Sequence, residues 1–130
     1  MKKRLLLIGL ALLGQPLLAM AGGDAVRGQA LFKPCASCHQ IGPYASAGYG
    51  PQLNAIIGRK AAITMDFKYS EAMKKSGIVW NEETFEEYIK DPKAKIPGTK
   101  MVFVGIKNEQ AAKDLWAYLK QFDAQGNMKK

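Results

Sequence analysis

Cys35-Ala36-Ser37-Cys38-His39 is the stretch of this 130-residue chain that decides how it folds. C-x-x-C-H is the attachment signature of a c-type haem, in which each cysteine sulfur forms a thioether with one vinyl group of the porphyrin. The histidine that follows can then bind the iron through an imidazole nitrogen. His39 is the only histidine of the chain, and Cys35 and Cys38 are its only cysteines, so all residues of both types lie in this motif.

Cysteines spaced in this way also occur in thioredoxin-like dithiols, in zinc sites and in simple disulfides. A thioredoxin-like site requires a βαβ context, and no such pattern precedes Cys35. A structural zinc ion requires four ligands, and the chain has no second cysteine pair or further histidine to supply them. The motif therefore favours one haem c with its iron, attached through Cys35 and Cys38, while a simple disulfide is the alternative that the pattern leaves open.

The first 21 residues have the pattern of an export signal. Residues 2–4 are basic, residues 5–13 are apolar apart from Gly9, and Ala19-Met20-Ala21 is a typical cleavage site. The alternative is an uncleaved membrane anchor, but the apolar run is too short to span a bilayer comfortably. We expect cleavage of the signal peptide after Ala21, a periplasmic location without stable membrane insertion, and one small domain over residues 22–130.

The chain is strongly basic, with 19 Lys and Arg against 11 Asp and Glu and a net charge of +8. Three of the basic residues lie in the export signal, so residues 22–130 carry +5 before any haem propionates are counted. The lysines are spread along the chain and form no basic block interleaved with aromatic residues, so we expect no nucleic-acid binding. An electropositive face for partner proteins with acidic docking faces is the better interpretation.

Helix caps and apolar periodicity predict an all-α fold. No segment alternates apolar and polar residues in the manner of a strand. Good N-cap residues and apolar stripes mark the starts and faces of the helices, while glycine, proline and Asp91-Pro92 mark their ends. Predicted helices cover residues 24–33, 70–76, 81–90 and 108–122, with one further helical turn over 54–58, and loops cover residues 42–50 and 93–105.

Four methionines outside the export signal are candidates for a second axial ligand to the iron. Met101 stands out because residues 97–100 lead into it through a loop constrained by proline and glycine, far beyond the haem motif. Met65 and Met73 are more typical of methionines that fill a core, and Met128 lies in a terminal segment. The residues favour Met101, with a nitrogen ligand or an open site as the alternatives.

The chain resembles a class I c-type cytochrome of the mitochondrial and bacterial electron-carrier kind. The matching stretches follow the family's order and spacing and cover nearly all of residues 22–130. The resemblance implies the small cytochrome c fold, in which helices and loops wrap around one covalently bound haem. The matching stretches are residues 28–39, 50–53, 58–60, 67–70, 77–80, 82–88, 96–101 and 114–120.

The resemblance also implies a role for each residue of the motif and its surroundings. Cys35 and Cys38 would hold the haem, and His39 and Met101 would be the axial ligands of its iron. The carbonyl of Pro51 would accept a hydrogen bond from the other histidine nitrogen, which fixes the ring and raises its basicity.

Further haem-side residues are implied in the same way. Arg59, Tyr69 and Trp80 match residues that reach the propionates, and Tyr88 and Thr99 match residues that form hydrogen bonds near the methionine. For the aromatic residues, plain core packing is the alternative. Other matched positions are Phe103, beside the haem edge, and the helix crossing of Gly28, Phe32, Leu115 and Tyr118.

Two features depart from the family pattern. Met73 stands where mitochondrial members carry a polar asparagine in a buried water network, so we expect a drier haem pocket and an altered reduction potential. Residues 42–50 depart in sequence and, we expect, in length, so the resemblance does not supply their conformation.

We expect a monomeric electron carrier rather than an enzyme. Histidine and methionine would fill both axial positions, and an apolar pocket with a methionine ligand raises the reduction potential. The rival interpretations are a small peroxidase or a gas-binding or sensory haem module, which need an open sixth position. A peroxidase also needs distal acid–base groups, and the only histidine is already used.

Overall fold

The computed structural model describes residues 22–130 as short helices joined by long loops. Within this range the only β-pairing is two isolated bridges, Lys60 with Val79 and Phe122 with Met128, so the predicted all-α class and small single domain are confirmed. The predicted export signal, residues 1–21, lies outside the described residues. The helices are α1 (Ala25–Phe32), a 3₁₀ helix (Lys33–Ser37), α2 (Glu71–Lys75), α3 (Glu82–Lys90), α4 (Pro92–Lys95) and α5 (Glu109–Leu119).

None of the helices described over residues 22–130 is both long and apolar enough to cross a lipid bilayer.

Side-chain caps start the helices where the sequence predicts them. Asp24, Asn81 and Asn108 each accept a hydrogen bond from the backbone N–H three residues further on. Asn81 and Thr84 cap each other's backbone N–H reciprocally. Ser70 caps α2 in the same manner. Because such caps replace hydrogen bonds that a helix end lacks, short helices can begin at these residues.

Residues 54–58 form turns, so the predicted helical turn there is wrong. The φ angle of Ala55 is +50°, outside the right-handed helical region. Its N–H donates to Phe122 O at 3.2 Å instead of to a carbonyl of its own segment. A contact with the end of the chain therefore overrides the local helical pattern.

Two further predictions need correction, one about a loop and one about the end of the last helix. The predicted loop over 93–105 begins with α4, because Asp91 accepts a hydrogen bond from Ala94 N–H and Pro92 is favourable at a first helical position. The last helix ends at Leu119, before the predicted Phe122, because Phe122 leaves the helix to form its bridge with Met128.

The crossing of α1 with α5 is the tightest packing between helices. A Cβ atom at Gly28 would lie only 1.9 Å from Asp114 O and 2.8 Å from Tyr118 Cβ, so only glycine lets the backbones approach this closely. Phe32 packs on Tyr118 with ring centroids 5.5 Å apart, and Leu115 is almost completely buried. The predicted crossing of the first and last helices is confirmed.

A buried carboxylate joins the same two helices. Asp114, whose side chain is 5% exposed, accepts hydrogen bonds from Asp24 N–H at 2.7 Å, Arg27 Nε at 2.8 Å and Gln110 Nε2 at 2.9 Å. The hydrogen bond from Arg27, followed by that from Asp24 N–H, holds the pKa of Asp114 well below its usual range. The start of α1 is therefore fixed to α5 by charge as well as by shape.

The remaining core connects α3 with α5 and supports the loops that follow the cysteine motif. Phe85 of α3 packs on Trp116 of α5 with ring centroids 5.2 Å apart, and Trp80 packs on Tyr88 at the same separation. Ile96, after α4, is buried in the same cluster. The haem motif and Met101 are thus attached to one core although they lie far apart in the chain.

We expect Gly28→Ala to lower the free energy of unfolding by about 2 kcal/mol, because the added methyl group forces the two helices apart. Denaturant unfolding of the haem-loaded protein, followed by far-UV circular dichroism, measures this. Val26→Ala, at a position of α1 that is 79% exposed, is the matched control and should change stability by less than about 0.5 kcal/mol. Equal effects of the two variants would contradict the close crossing.

We expect Asp114→Asn to cost about 2 kcal/mol at neutral pH, because the ionised carboxylate accepts bonds from a cation and a backbone N–H. The folded pKa is depressed, so this stabilisation is complete above the ordinary pKa of about 4 and is lost as the pH falls below it. Unfolding of wild type and variant at pH 7 and pH 2.5 should show the difference shrinking in acid. Glu83→Gln, at an exposed position, is the control; a pH-independent difference would refute the role of ionisation.

Candidate haem-binding site

The cysteine motif lies on the 3₁₀ helix that continues α1. Pro34 stands at the start of this helix, and the N–H groups of Cys38 and His39 both donate to Cys35 O, at 3.0 and 2.9 Å. Both cysteines are free thiols, so the disulfide that the spacing left open is not formed. Burial raises the pKa of the Cys35 thiol, whereas Cys38 is exposed. Two thiols in one turn are the groups that thioether attachment requires.

The imidazole of His39 has one nitrogen engaged with the protein backbone. Nδ1 lies 2.7 Å from Pro51 O, a carbonyl that can only accept, so Nδ1 carries the proton in this contact. Burial, the largest influence, lowers the pKa of His39 below its ordinary value, which favours the neutral ring. The neutral ring then has its lone pair on Nε2, which is the form that binds a metal.

Gly50 allows this position of the ring. A Cβ atom at Gly50 would lie 2.5 Å from His39 Cε1 and 2.8 Å from its Nδ1, so any other residue would collide with the imidazole. The N–H of Gly50 also donates to Cys38 O at 2.8 Å. The chain therefore returns to the haem motif after residues 42–50 and encloses one side of the histidine.

The conformation of residues 42–50 depends on Asn54, a buried residue that the sequence analysis did not single out. Its side chain accepts from Gly42 N–H at 2.8 Å and donates to Gly42 O at 2.9 Å, as a backbone partner would. Gly126 packs directly against Gly42 O on the other side. Gly126 is distant in the chain, and Asn54 lies twelve residues after Gly42, beyond the range of a turn motif. Local sequence therefore gave no signal for this loop.

Arg59 and Tyr69, two residues proposed to reach the propionates, each form hydrogen bonds to other groups of the protein. Arg59 donates to Asn54 O and Gln52 O, both at 2.9 Å, and Tyr69 OH lies 2.6 Å from Thr64 Oγ1. Arg59 is half-buried, and no carboxylate in residues 22–130 forms an ion pair with it. Burial lowers the pKa of Arg59. A half-buried guanidinium with only carbonyl partners suits an anionic group such as a propionate.

Trp80, Tyr88, Thr99 and Met101 form a connected set. Trp80 packs on Tyr88, whose hydroxyl lies 2.7 Å from Thr99 Oγ1. Thr99 Oγ1 also accepts from Met101 N–H at 3.3 Å. Burial raises the pKa of Tyr88, so its hydroxyl stays protonated. A side chain of α3 thereby holds the backbone on which Met101 lies.

The four candidate methionines differ in their surroundings. Met65 is fully exposed and Met128 largely so, whereas Met73 is buried in the core. Met101 is partly buried against the core, although its neighbour Val102 is almost fully exposed. Of the four, only Met73 and Met101 pack in the interior. The side chain of Met101 alone is only partly buried there, and a ligand to an added group has to be accessible in this way.

These residues fit a covalently attached haem c. The donor set comprises two free thiols, an imidazole with Nδ1 engaged, and a partly buried thioether, and it includes no further imidazole or thiol. Apolar side chains that pack on the core without being fully buried supply a surface for a large planar ring. They are Leu31, Ile41, Leu53, Ala61, Ala62, Tyr69, Ala72, Ile78, Met101, Phe103 and Ile106, together with Cys35.

Comparison with known proteins agrees with this geometry. A family model described as cytochrome c matches residues 25–123. The chain is 52% identical to cytochrome c2 of Blastochloris viridis over 126 residues, which cover 97% of this chain and 99% of that protein. It is 53% identical to cytochrome c-550 of Bradyrhizobium diazoefficiens over 105 residues, or 81% of this chain and 77% of that protein.

A solved structure shows the same fold. Cytochrome cH from Methylobacterium extorquens superposes with a TM-score of 0.71 at 41% sequence identity, covering 75% of this chain and 98% of that chain. The fold implied by the sequence motifs is therefore confirmed.

We expect Gly50→Ala to displace the His39 ring, because its Cβ atom would lie within 3 Å of three ring atoms. In haem-loaded protein the variant should lose the Nδ1–Pro51 hydrogen bond and show shifted His39 NMR resonances and an altered visible spectrum. Gly48→Ala, whose Cβ would meet only Cys38 O at 3.6 Å, is the matched control and should resemble wild type. A Gly50→Ala spectrum identical to that of the control would show that the ring is positioned by something else.

Proposed function

Because the chain belongs to the cytochrome c family, as a class I c-type cytochrome, we propose that it is a soluble periplasmic electron carrier, working through one haem c. The observation that carries the proposal is the contact of 2.7 Å between His39 Nδ1 and Pro51 O. It fixes the only imidazole directly after the two thiols with Nε2 free for iron. This arrangement serves metal ligation, and the chain lacks the further cysteine and histidine ligands that a structural zinc site needs.

Each proposed ligand has a distinct task. Cys35 and Cys38 would hold the haem by thioethers, and His39 and Met101 would bind its iron. The bound haem iron supplies one-electron transfer between the ferrous and ferric states. Pro51 keeps the imidazole neutral and oriented, and the Tyr88–Thr99 hydrogen bond holds the backbone at Met101. These hydrogen bonds would restrain the ligands and so keep the reorganisation on electron transfer small.

The residues around the proposed haem suit an electron carrier with a raised reduction potential. Arg59, Tyr69 and Trp80 lie at the positions proposed to face the propionates, and Arg59 provides a cation without a carboxylate partner among residues 22–130. Met73 is buried, so a thioether takes the place of polar atoms in the proposed pocket. An apolar pocket disfavours the additional positive charge of ferric iron.

We propose that the carrier is a monomer and that its partners are redox proteins with acidic docking faces. Lysine side chains spread over the surface would steer encounter, and the almost fully exposed Val102 and Val104 flank Phe103 beside Met101. Charged rims and a small apolar centre favour short-lived complexes, which a carrier needs. The lysines form no basic block interleaved with aromatic residues, which argues against a nucleic-acid partner.

The rival functions lack the groups that they need. A peroxidase or a gas-binding module requires an open position on the iron, and a peroxidase also requires distal acid–base residues. The single histidine of the chain is engaged with Pro51. Thr99 Oγ1, which accepts from Met101 N–H, is also hydrogen-bonded to the hydroxyl of Tyr88. The proposed carrier is therefore not an enzyme.

We expect Met101→Ala to open the sixth position of the iron. The ferric protein should lose the weak far-red absorption band of iron–methionine ligation, and the reduced protein should bind carbon monoxide. The reduction potential should fall by on the order of 100 mV, a fraction of the roughly 0.8 V over which axial ligands set it. Met65→Ala, at a fully exposed position, is the control. A far-red band retained in Met101→Ala would remove this residue as a ligand.

A further inference from the structure

Three successive contacts join the chain just before the loop over residues 42–50 to the chain just after it. Together they form the neck of this loop, and the contact of the imidazole with its carbonyl partner is one of the three. A displacement at one end of the neck is therefore passed on to the histidine within three residues. The contacts are His39 Nδ1 with Pro51 O at 2.7 Å, Gln40 O with Leu53 N–H at 3.0 Å, and Gly42 with the Asn54 side chain at 2.8 and 2.9 Å.

A turn over residues 122–128 packs on both segments of the neck. A Cβ atom at Gly126 would lie 2.0 Å from Gly42 O, so the buried glycine backbone touches the segment that leads into the loop. Phe122 O accepts from Ala55 N–H at 3.2 Å, which holds the segment that leaves the loop. One turn from a remote part of the chain thus contacts both sides of the neck.

The 122–128 turn is held in shape by its own hydrogen bonds. Asp123 Oδ1 accepts from Gln125 N–H and from Asn127 N–H, both at 2.9 Å. Gly126 N–H donates to Asp123 O at 3.0 Å, and its φ angle of +80° is one that glycine adopts without a steric penalty. Because these contacts lie within the turn, it can press on the neck as one rigid piece.

We propose that the 122–128 turn is a clamp that positions His39. By holding both segments of the neck, the clamp keeps Pro51 O within hydrogen-bond distance of His39 Nδ1. The inference rests on the proposed role of His39 as a ligand to haem iron, since a carbonyl that accepts from the second nitrogen fixes such a ligand and raises its basicity. Asp123 and Gly126 are therefore positioning residues, which act through the neck.

The test uses haem-loaded protein and two glycine variants that differ in one respect. Gly126→Ala places a methyl group against Gly42 O, whereas a methyl group at Gly77 would meet nothing within 4 Å. The φ angles of the two glycines, +80° and +67°, are alike, so both variants carry a similar cost of left-handed backbone. Gly77→Ala is therefore the control for backbone strain without the collision.

The first measurement is hydrogen exchange, by NMR, of the His39 Nδ1 proton in the reduced protein. Its rate is divided by that of the Leu115 amide, which is almost completely buried in α5, so that any change in global unfolding cancels. The neck keeps its own contacts in Gly126→Ala, so the His39 contact should loosen without being lost. We expect the ratio to rise about fivefold, the factor that one hydrogen bond of ordinary net strength contributes. In Gly77→Ala it should equal the wild-type ratio.

Asp123 provides a second pair of variants that adds no atom to the interface. Asp123→Ala removes the acceptor of two N–H groups inside the turn, so the exchange ratio should rise as it does in Gly126→Ala. Asp123→Asn keeps an acceptor oxygen and should restore the wild-type ratio. Far-UV circular dichroism and the visible spectrum check folding, and this pair decides the question if Gly126→Ala does not fold around haem.

The second measurement, the reduction potential, separates positioning of the ligand from general loosening. A weaker contact with Pro51 O makes the imidazole a poorer electron donor, which disfavours ferric iron, so the potential should rise. Water admitted to the haem would stabilise the ferric charge and lower the potential. We expect a higher potential in Gly126→Ala than in Gly77→Ala.

Three results would each overturn the clamp: an unchanged exchange ratio in Gly126→Ala and Asp123→Ala, an equal rise in Gly77→Ala, or a potential that does not rise. A wild-type protein without a haem spectrum would instead refute the proposed electron carrier. The two failures are therefore distinguishable.

Discussion

The close approach of α1 to α5 at Gly28 is the constraint on which the rest of this structure depends. A glycine is needed because the Asp114 carbonyl occupies the space where a side chain would begin. α1 continues directly into the 3₁₀ helix that carries Cys35, so the angle of this crossing places the haem motif. The buried Asp114 carboxylate, bonded to Asp24 and Arg27, adds an electrostatic restraint on the same crossing. The packing of α1 on α5 therefore determines the position of the site.

Two loops then complete the site, and each is held by side-chain hydrogen bonds to residues about a dozen positions away in the chain. The loop over 42–50 is fixed by the buried side chain of Asn54 and returns at Gly50 and Pro51, where it orients His39. The segment that contains Met101 is tied to α3 through Thr99 and Tyr88. Since long loops bury little apolar area, a small domain of this kind depends on such polar anchors for part of its stability. The contacts that hold the loops in place therefore involve the same residues as the proposed haem site.

The sequence analysis succeeded where the determining interactions are local or where a motif has a fixed spacing. Cap residues such as Asn81 and Asn108 act within one turn, so helix starts were predicted correctly. It failed at Ala55, where a hydrogen bond to Phe122 O stabilises a left-handed turn in place of a helical one. It also missed α4, although Asp91 and Pro92 were a local cap signal that could have been used. Asn54 and Asp114 carried no local signal, because their partners are remote.

By itself, the sequence determined the helical class, the cysteine–histidine motif and the family resemblance, and the resemblance in turn implied the pairing of the first and last helices. These depend on residue identity, short spacing and periodicity, which are written in consecutive positions. The resemblance had already implied that the imidazole meets Pro51 O, and the structure has that contact. Only the tertiary structure decided how residues 42–50 run and that Asp114 fixes the start of α1 to α5. Those outcomes depend on distances between residues far apart in the chain, and such distances arise only after the helices have packed.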